Sequence, residues 1–335
     1  MALDPITMIT GAFNDSSGEI YDQAFGGNVL VKMLSAPDVV KPASGLHIQE
    51  NISTKKNSTI QARGYKDQVK FEEQDPVSSV TQDWRYVNGG VPWYDAQVRN
   101  CQGSREALFD FVGALIDNAK MTMEEVIAQE VWKDGSGNHF HGIPAIISAT
   151  NTYMTIDRSA AGNEFWRAKT GAAFTLDGVT FGPFNTAEEM AITGGTDGGI
   201  RGLYRACCAN GGIDPPDVGI CDEDYYSQIE SLIPDKHRYQ SDKIVQLGWP
   251  NIMYGKCAIT WDRMCPSGSL YMFNTRYLKL RPQKEFARSF KVHPKTSLKP
   301  LGLFAEGVLL EYQGNLTCVM PQRCGALTNK TVPAG

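Results

Sequence analysis

One stretch limits what this chain can become more than any other. Between Leu108 and Val131, apolar residues recur at helical spacing. Leu108, Val112, Leu115, Ile116, Ala119, Met123, Val126, Ile127 and Val131 fall three or four apart. Arg105, Glu106, Asp117, Lys120, Glu124 and Glu125 fill the other side. Ser104 is placed to cap the start, and the Gly135–Gly137 turn to end the element. At a rise of about 1.5 Å per residue, a helix of about thirty residues would run roughly 45 Å. That is long for a globular domain within a 335-residue chain, and suits a spine.

The segments before this helix are poorly equipped to cover themselves. Residues 1 to about 43 read as an arm rich in Gly, Asp, Ser and Pro, with a short helix expected near Glu19–Leu34 and interrupted by Gly26-Gly27. From Ser44 to about Asp95 the pattern is β-like and thinly apolar. Val80, Gln82, Trp84 and Tyr86 alternate on one face, as do Val69 and Phe71. Between them lie Lys55-Lys56, Lys66-Asp67 and Glu72-Glu73-Gln74-Asp75. A two-stranded hairpin alone is marginal in water, so this flap either packs on the body of its own chain or waits for a neighbour.

Beyond the helix, Gly142 to Ile147 resembles a strand or the turn leading into one. Helices are expected over Gly199–Ala209, stopped by Asn210-Gly211-Gly212, and over Asp222–Ile233 with Tyr225, Ile229, Leu232 and Ile233 on one face. Strands are expected at Val218–Cys221, Ile244–Leu247, Cys257–Trp261, Leu270–Phe273, Lys279-Leu280 and Leu303–Tyr312. Helices and strands mix without a regular βαβ rhythm, so the fold class is α+β.

The residues that could carry chemistry do not converge. The loop Gly194-Gly195-Thr196-Asp197-Gly198-Gly199 precedes a helix, but lacks the Lys-Ser/Thr of a phosphate-binding loop. Asp134-Gly135-Ser136-Gly137-Asn138 begins like a calcium loop, then places His139 where glycine is required and Ala145 where Glu is required. His139 and His141 have no carboxylate or cysteine at a metal-ligand spacing nearby. Asp222-Glu223-Asp224 opens a helix, where acidic residues favour the dipole. Eight cysteines form no CxxC. They read as small buried hydrophobes, with pairing of Cys318 and Cys324, or of Cys257 and Cys265, as the residual reading. A formal net charge of −5 argues against a tight grip on phosphates. No apolar run reaches membrane-spanning length, and Met1-Ala2-Leu3-Asp4-Pro5 has neither the basic nor the apolar part of a signal peptide. The expectation is a protein without catalytic, cofactor or metal residues, made in a cytoplasm.

Several ordered motifs resemble one family. The helix ends in Trp132-Lys133-Asp134-Gly135-Ser136-Gly137-Asn138 and is followed by Gly142-Ile143-Pro144-Ala145-Ile146. Ile156-Asp157-Arg158 then precedes Phe165-Trp166-Arg167. Further on come Arg238-Tyr239, Leu247-Gly248-Trp249, Tyr254-Gly255-Lys256, Thr260-Trp261-Asp262, Leu270-Tyr271-Met272-Phe273-Asn274 and Tyr277-Leu278-Lys279-Leu280. Arg323 to Asn329 closes the series. In this order, from Ser44 to Asn329, they resemble the tailed-bacteriophage major capsid proteins of the Hong Kong 97-type fold.

The resemblance implies an architecture. An N-terminal arm would occupy residues 1–43 and an extended β-hairpin loop 44–95. A peripheral domain with the spine helix would span 96–142 and 289–335, and an apical domain 143–288. It implies hexamers and pentamers in an icosahedral shell that encloses double-stranded DNA without sequence-specific binding. It also implies a virion location after assembly in the host bacterial cytoplasm. A portal protein and a separate scaffolding protein are the implied partners, with a decoration protein as an optional one. The candidate contact residues between subunits are Trp84, Tyr86 and Trp93, since aromatics dominate interface energies, together with Lys55, Lys56 and Arg63. Truncating Trp84 is expected to leave a soluble subunit that assembles poorly. An encapsulin-like protein compartment of the same fold, or a cytoplasmic Cys/His hydrolase, are the rival readings.

Overall fold

The computed structural model describes residues 30, 33, 39–53, 59–65, 68, 77–96, 115, 118–119, 122–123, 125–171, 174–176, 179–181, 199–208, 214–232, 251–286, 291–293, 296–299 and 302–328. Its architecture is α+β, with two larger sheets. The first is built on one long strand. β1 (Ile48–Ser53) and β2 (Val77–Gln82) form an antiparallel pair of their own, but β3 (Arg85–Tyr94) leaves that pair for the body. It runs antiparallel along β16 (Ala305–Cys318), from Tyr94 opposite Ala305 to Arg85 opposite Gly314. The other edge of β16 takes β13 (Leu278–Pro282), β14 (Lys291–Val292) and β15 (Thr296–Ser297).

The second sheet has six strands. Its order is β10 (Ile252–Tyr254), β11 (Cys257–Trp261), β9 (Val218–Cys221), β12 (Leu270–Phe273), β17 (Gly325–Leu327) and β6 (Lys169–Gly171). Two small hairpins complete the strands: β4 (Thr152–Tyr153) with β5 (Ile156–Asp157), and β7 (Phe174–Leu176) with β8 (Val179–Phe181). Among the described residues, beside the helical ones between 115 and 130, the helices are α1 (Ile143–Ile146), α2 (Gly199–Cys207) and α3 (Glu223–Leu232).

The six-stranded sheet is buried on both faces, which is why its strands read as unbroken apolar runs. Val218, Ile220, Tyr271, Phe273 and Ala326 face the main core. Cys221, Leu270, Met272 and Leu327 face a second core under α2 and α3, with Ile200, Leu203, Tyr225 and Ile229. Asp222 caps α3: its side chain accepts from the Glu223 N–H at 2.9 Å and from the Gly268 N–H at 3.3 Å.

The spine pattern holds wherever the structure describes it. Residues 115, 118, 119, 122, 123 and 125–130 are helical. Met123 and Ile127 are buried in the main core, and Leu115, Ala119 and Val126 pack against it. The expected full length, with Leu108, Val112 and Ser104, falls in part outside the described residues. So do most of the arm helix, Val69 and Phe71, the strand at 244–247 and the loop at 194–198.

Four expectations change. Residues 143–146 form a short helix, not a strand. Pro144 sits in its first turn, where its missing N–H costs nothing. The last strand continues six residues past Tyr312, to Cys318. The alternation through Val80, Gln82, Trp84 and Tyr86 breaks, because the chain leaves β2 before Asp83 and re-enters a strand at Arg85. Val87, Val91 and Trp93 therefore point inward, and Tyr86 outward. Finally, the base of the flap is not bare. Ile52 and Val80 lie in the main core of their own subunit.

Candidate assembly surface

The flap is held at its base by a cluster of polar contacts. Asn315 on β16 is wholly buried and uses its whole amide. Its oxygen accepts from the N–H groups of His141 (3.0 Å) and Leu316 (2.9 Å). Its nitrogen donates to the Asp83 carbonyl (2.9 Å) and to Nδ1 of His141 (3.2 Å). One side chain thus ties the long strand to the flap base and to the turn that ends the spine. Burial, with Arg85 adding to it, pushes the His141 imidazole below its ordinary pKa. This agrees with a ring nitrogen that accepts a bond from Asn315.

Two more ties fix the same region. Glu50 on β1 pairs with Arg281 on β13, both little exposed, and Thr317 donates to the same carboxylate. Trp84 donates its indole N–H to the Gly45 carbonyl at 3.0 Å. Gly45 sits at φ +114°, a conformation open to glycine, where the chain turns into β1. The chain before β1 is pinned alongside, with the Lys41 and Ala43 N–H groups donating to the Leu280 and Pro282 carbonyls.

Away from this clamp, apolar groups lie bare. Nine large hydrophobic residues are exposed among the described residues: Leu46, Ile60, Tyr65, Val77, Tyr86, Tyr94, Leu303, Phe304 and Leu309. All nine fall in two stretches, 46–94 and 303–309; β3 and β16 pair only the end of the first with the second, with Tyr94 opposite Ala305. Ile60, Phe304 and Leu46 are each about four-fifths exposed, and Tyr65 fully so. On the outer face of the β3–β16 ribbon, Leu309 stands opposite Gly90 and Tyr94 opposite Ala305. The small partners leave these larger side chains uncovered. Tyr86 is held upright by a 3.0 Å bond from the Gln313 amide to its hydroxyl.

The candidates drawn from the sequence divide across this geometry. Tyr86 is exposed on the ribbon. Arg63 is half-buried and donates to the carbonyls of Gln68 and, at 3.3 Å, Thr59. Trp84 and Trp93 are covered by their own chain at 8% and 1% exposure. They hold the ribbon from within, so the expected behaviour of a Trp84 truncation is revised below. Lys55 and Lys56 lie outside the described residues. Sequence reasoning missed Leu46, Ile60, Tyr65, Val77, Tyr94, Leu303, Phe304 and Leu309. Leu46, Ile60, Tyr65 and Val77 stand alone among polar or small residues, while Tyr94, Leu309 and the Leu303-Phe304 pair sit beside buried strand residues, so no pattern separates them.

The histidines described here are engaged locally: His47 with Asp83, His139 with Glu130 and His293 with Glu311, each at 2.7–2.8 Å, and His141 with Asn315. Arg158, quoted above in a family motif, is a structural knot. Fully buried, it donates to the carbonyls of Ala145 (3.2 Å), Ile146 (2.8 Å) and Ser148 (2.7 Å), at the end of α1 where carbonyls lack helical partners. It also lies 4.7 Å from the centre of the Tyr153 ring. Burial pushes its pKa down to about 10, so it stays charged at neutral pH. Trp166, from the companion motif, donates to the Tyr153 carbonyl at 3.1 Å and stacks on that ring.

No family model and no curated protein matches the chain. Solved structures do. A chain of the capsid asymmetric unit of cyanophage A-1(L) superposes with a TM-score of 0.60 at 14% identity, over 90% of this chain and 92% of that one. A chain of Mycobacterium phage Bobi gives 0.52 at 10% identity, over 91% of each. The SrpI encapsulin complex of Synechococcus elongatus PCC 7942 gives 0.51 at 11% identity, over 91% of this chain and 88% of that one. At such identities the likeness speaks for the path of the chain alone, and it runs nearly end to end: this protein has the tailed-phage capsid fold, which the encapsulin shares.

Proposed function

We propose that this chain is a tailed-phage major capsid protein, with a structural and not a catalytic role. It self-assembles as hexamers and pentamers into an icosahedral head around double-stranded DNA. The observation that carries the reading is the confinement of all nine exposed large hydrophobics to the flap and the adjoining β3–β16 ribbon. Large exposed apolar side chains confined to one part of a chain are what an interaction site presents. In this reading the flap lies over a neighbouring copy, with Tyr86, Arg63, Lys55 and Lys56 in or beside the contact. Trp84 and Trp93 stiffen the strand beneath it. Residues 1–43 serve as the arm and 44–95 as the extended loop. The peripheral domain comprises 96–142 with the spine helix, and 289–335; the apical domain comprises 143–288. Each contact is modest, and repetition around the shell makes the sum strong.

A portal protein, a scaffolding protein and, optionally, a decoration protein complete the assembly. A net charge of −5 suits a lumen that holds DNA without gripping it. The encapsulin likeness gives the second reading, a compartment shell with protein cargo. Nuclease-treated particles that contain this chain separate the two. The capsid reading expects protected double-stranded DNA inside. Particles filled with a folded protein and free of nucleic acid would hand the case to the compartment.

A further inference from the structure

The two larger sheets meet through a short turn that carries a thiol at each end. Cys318 is the last residue of β16, and Cys324 directly precedes β17. Their sulfurs lie 3.9 Å apart, and both residues are wholly buried. This is the one thiol–thiol hydrogen bond among the described residues. The backbone between them is fixed. Pro321–Arg323 forms a single 3₁₀ turn, the Arg323 N–H donates to Met320 at 3.0 Å and the Cys324 N–H to Pro321 at 2.9 Å. At one end the Cys318 N–H donates to the Tyr153 hydroxyl (2.8 Å). At the other, the Cys324 carbonyl accepts from the Lys169 N–H on β6 (3.0 Å).

We propose that Cys318 and Cys324 are an oxidation site, and that a small peroxide converts them into a disulfide that staples the five-stranded sheet to the six-stranded one. The sulfurs need close only from 3.9 Å to about 2 Å, a movement side-chain rotation can supply between two already facing thiols. The two are also chemically unequal. The hydrogen bond that the two sulfurs share holds the Cys318 thiol below its ordinary pKa, with Arg158 adding to the effect. The same bond and burial hold Cys324 well above its own. Cys318 is therefore the nucleophile and Cys324 the resolving partner.

The steps balance. The Cys318 thiolate attacks one peroxide oxygen and the O–O bond breaks. This leaves a sulfenic acid on Cys318 and a hydroxide, which takes up the proton the thiol released. The Cys324 sulfur then attacks the sulfenic sulfur. The S–S bond forms, the S–O bond breaks, and the departing hydroxyl leaves as water with the Cys324 proton. Two thiols lose two electrons and two protons, and one hydrogen peroxide becomes two waters. A water-sized oxidant suits a site that larger disulfide reagents cannot reach. The remaining buried cysteines, Cys207, Cys221, Cys257 and Cys265, behave as inert core residues.

The inference is independent of the shell reading, since both thiols belong to one chain. The test uses the full-length protein treated with hydrogen peroxide, then denatured in acid with an alkylating agent and mapped by mass spectrometry. The expected product is a peptide containing both Cys318 and Cys324 that is lighter by two hydrogens and blocked to alkylation. Partly exposed Cys208 reports that the oxidant was active. Cys318→Ser and Cys324→Ser should each abolish the cross-link; the wild-type measurement stands alone if either fails to fold. Free thiols at both positions after Cys208 has oxidised would overturn the proposal. So would a cross-link from Cys324 to its neighbour Cys207, or arrest of Cys318 as a sulfinic acid.

Discussion

At the scale of single residues, the motifs that carry the family resemblance have local physical causes. Gly142 is one. A side-chain carbon there would sit 2.2 Å from the Val131 carbonyl oxygen and 2.6 Å from that of Lys133. Only a bare α-carbon lets the chain leaving the spine pass so closely while Ile143 donates to Val131 at 2.8 Å. Gly142→Ala is expected to cost about 3 kcal/mol, read from the shift in denaturant midpoint. Gly89, where an added carbon meets nothing within 4 Å, is the control. Gly89→Ala should change stability by no more than about 1 kcal/mol, and in the stabilising direction. Equal losses at both sites would contradict this account. His141 makes a second test, on pH. Its folded pKa is depressed, so the unfolded chain takes up the proton first as the pH falls. Its contribution to stability is intact above the ordinary value of 6.5 and is lost progressively below it. A protonated ring would also set an N–H against the donating Asn315 amide. His141→Gln should flatten that part of the stability profile between pH 7.5 and 5.5. An unchanged slope would show that the ring is not the titrating group.

At the scale of elements, β3 and the flap separate two roles that the sequence pattern had merged. Trp93 is buried beneath the ribbon, so Trp93→Ala should destabilise the subunit by about 3–5 kcal/mol. Trp84, which also holds Gly45, should follow it in kind. Both variants are expected to give poorly folded chains, in place of the soluble, assembly-defective subunit anticipated for Trp84. Tyr65 and Phe304 project from the surface. Replacing either by Ser should move stability by no more than about 0.5 kcal/mol while reducing assembly, as read by circular dichroism beside light scattering. The sequence revealed the α+β class, the apolar face of the described helical residues between 115 and 130, and the buried strands at 218–221, 257–261 and 270–273. In each of these, periodicity or an unbroken apolar run follows directly from burial. It did not reveal that Asp83 and Trp84 break the alternation. That break comes from β3 pairing with a strand more than two hundred residues away. Nor did it reveal the exposed apolar residues, since a lone Ile60 or a Leu303-Phe304 pair looks the same covered or bare. Thr317 and Asn315 are buried polar residues whose partners, Glu50 and Asp83, are equally remote in sequence.

At the scale of the molecule, the structure divides into a well-filled body and a bare edge. The body needs no neighbour. Both faces of the six-stranded sheet are covered, and the base of the flap shares the main core. The edge is different: among the described residues, the exposed Leu, Ile, Val, Phe and Tyr side chains all lie in the flap, in the β3–β16 ribbon or just before it. The surface left for a neighbouring copy, as proposed above, is therefore this edge and not the whole flap. Sedimentation of the purified full-length chain at rising concentration, with electron microscopy of the same samples, tests this most directly. The account expects closed shells from the wild-type chain, and folded, dispersed subunits from a Tyr65→Ser, Phe304→Ser double variant. A wild-type chain that stays a compact monomer at high concentration, or a double variant that builds normal shells, would contradict it.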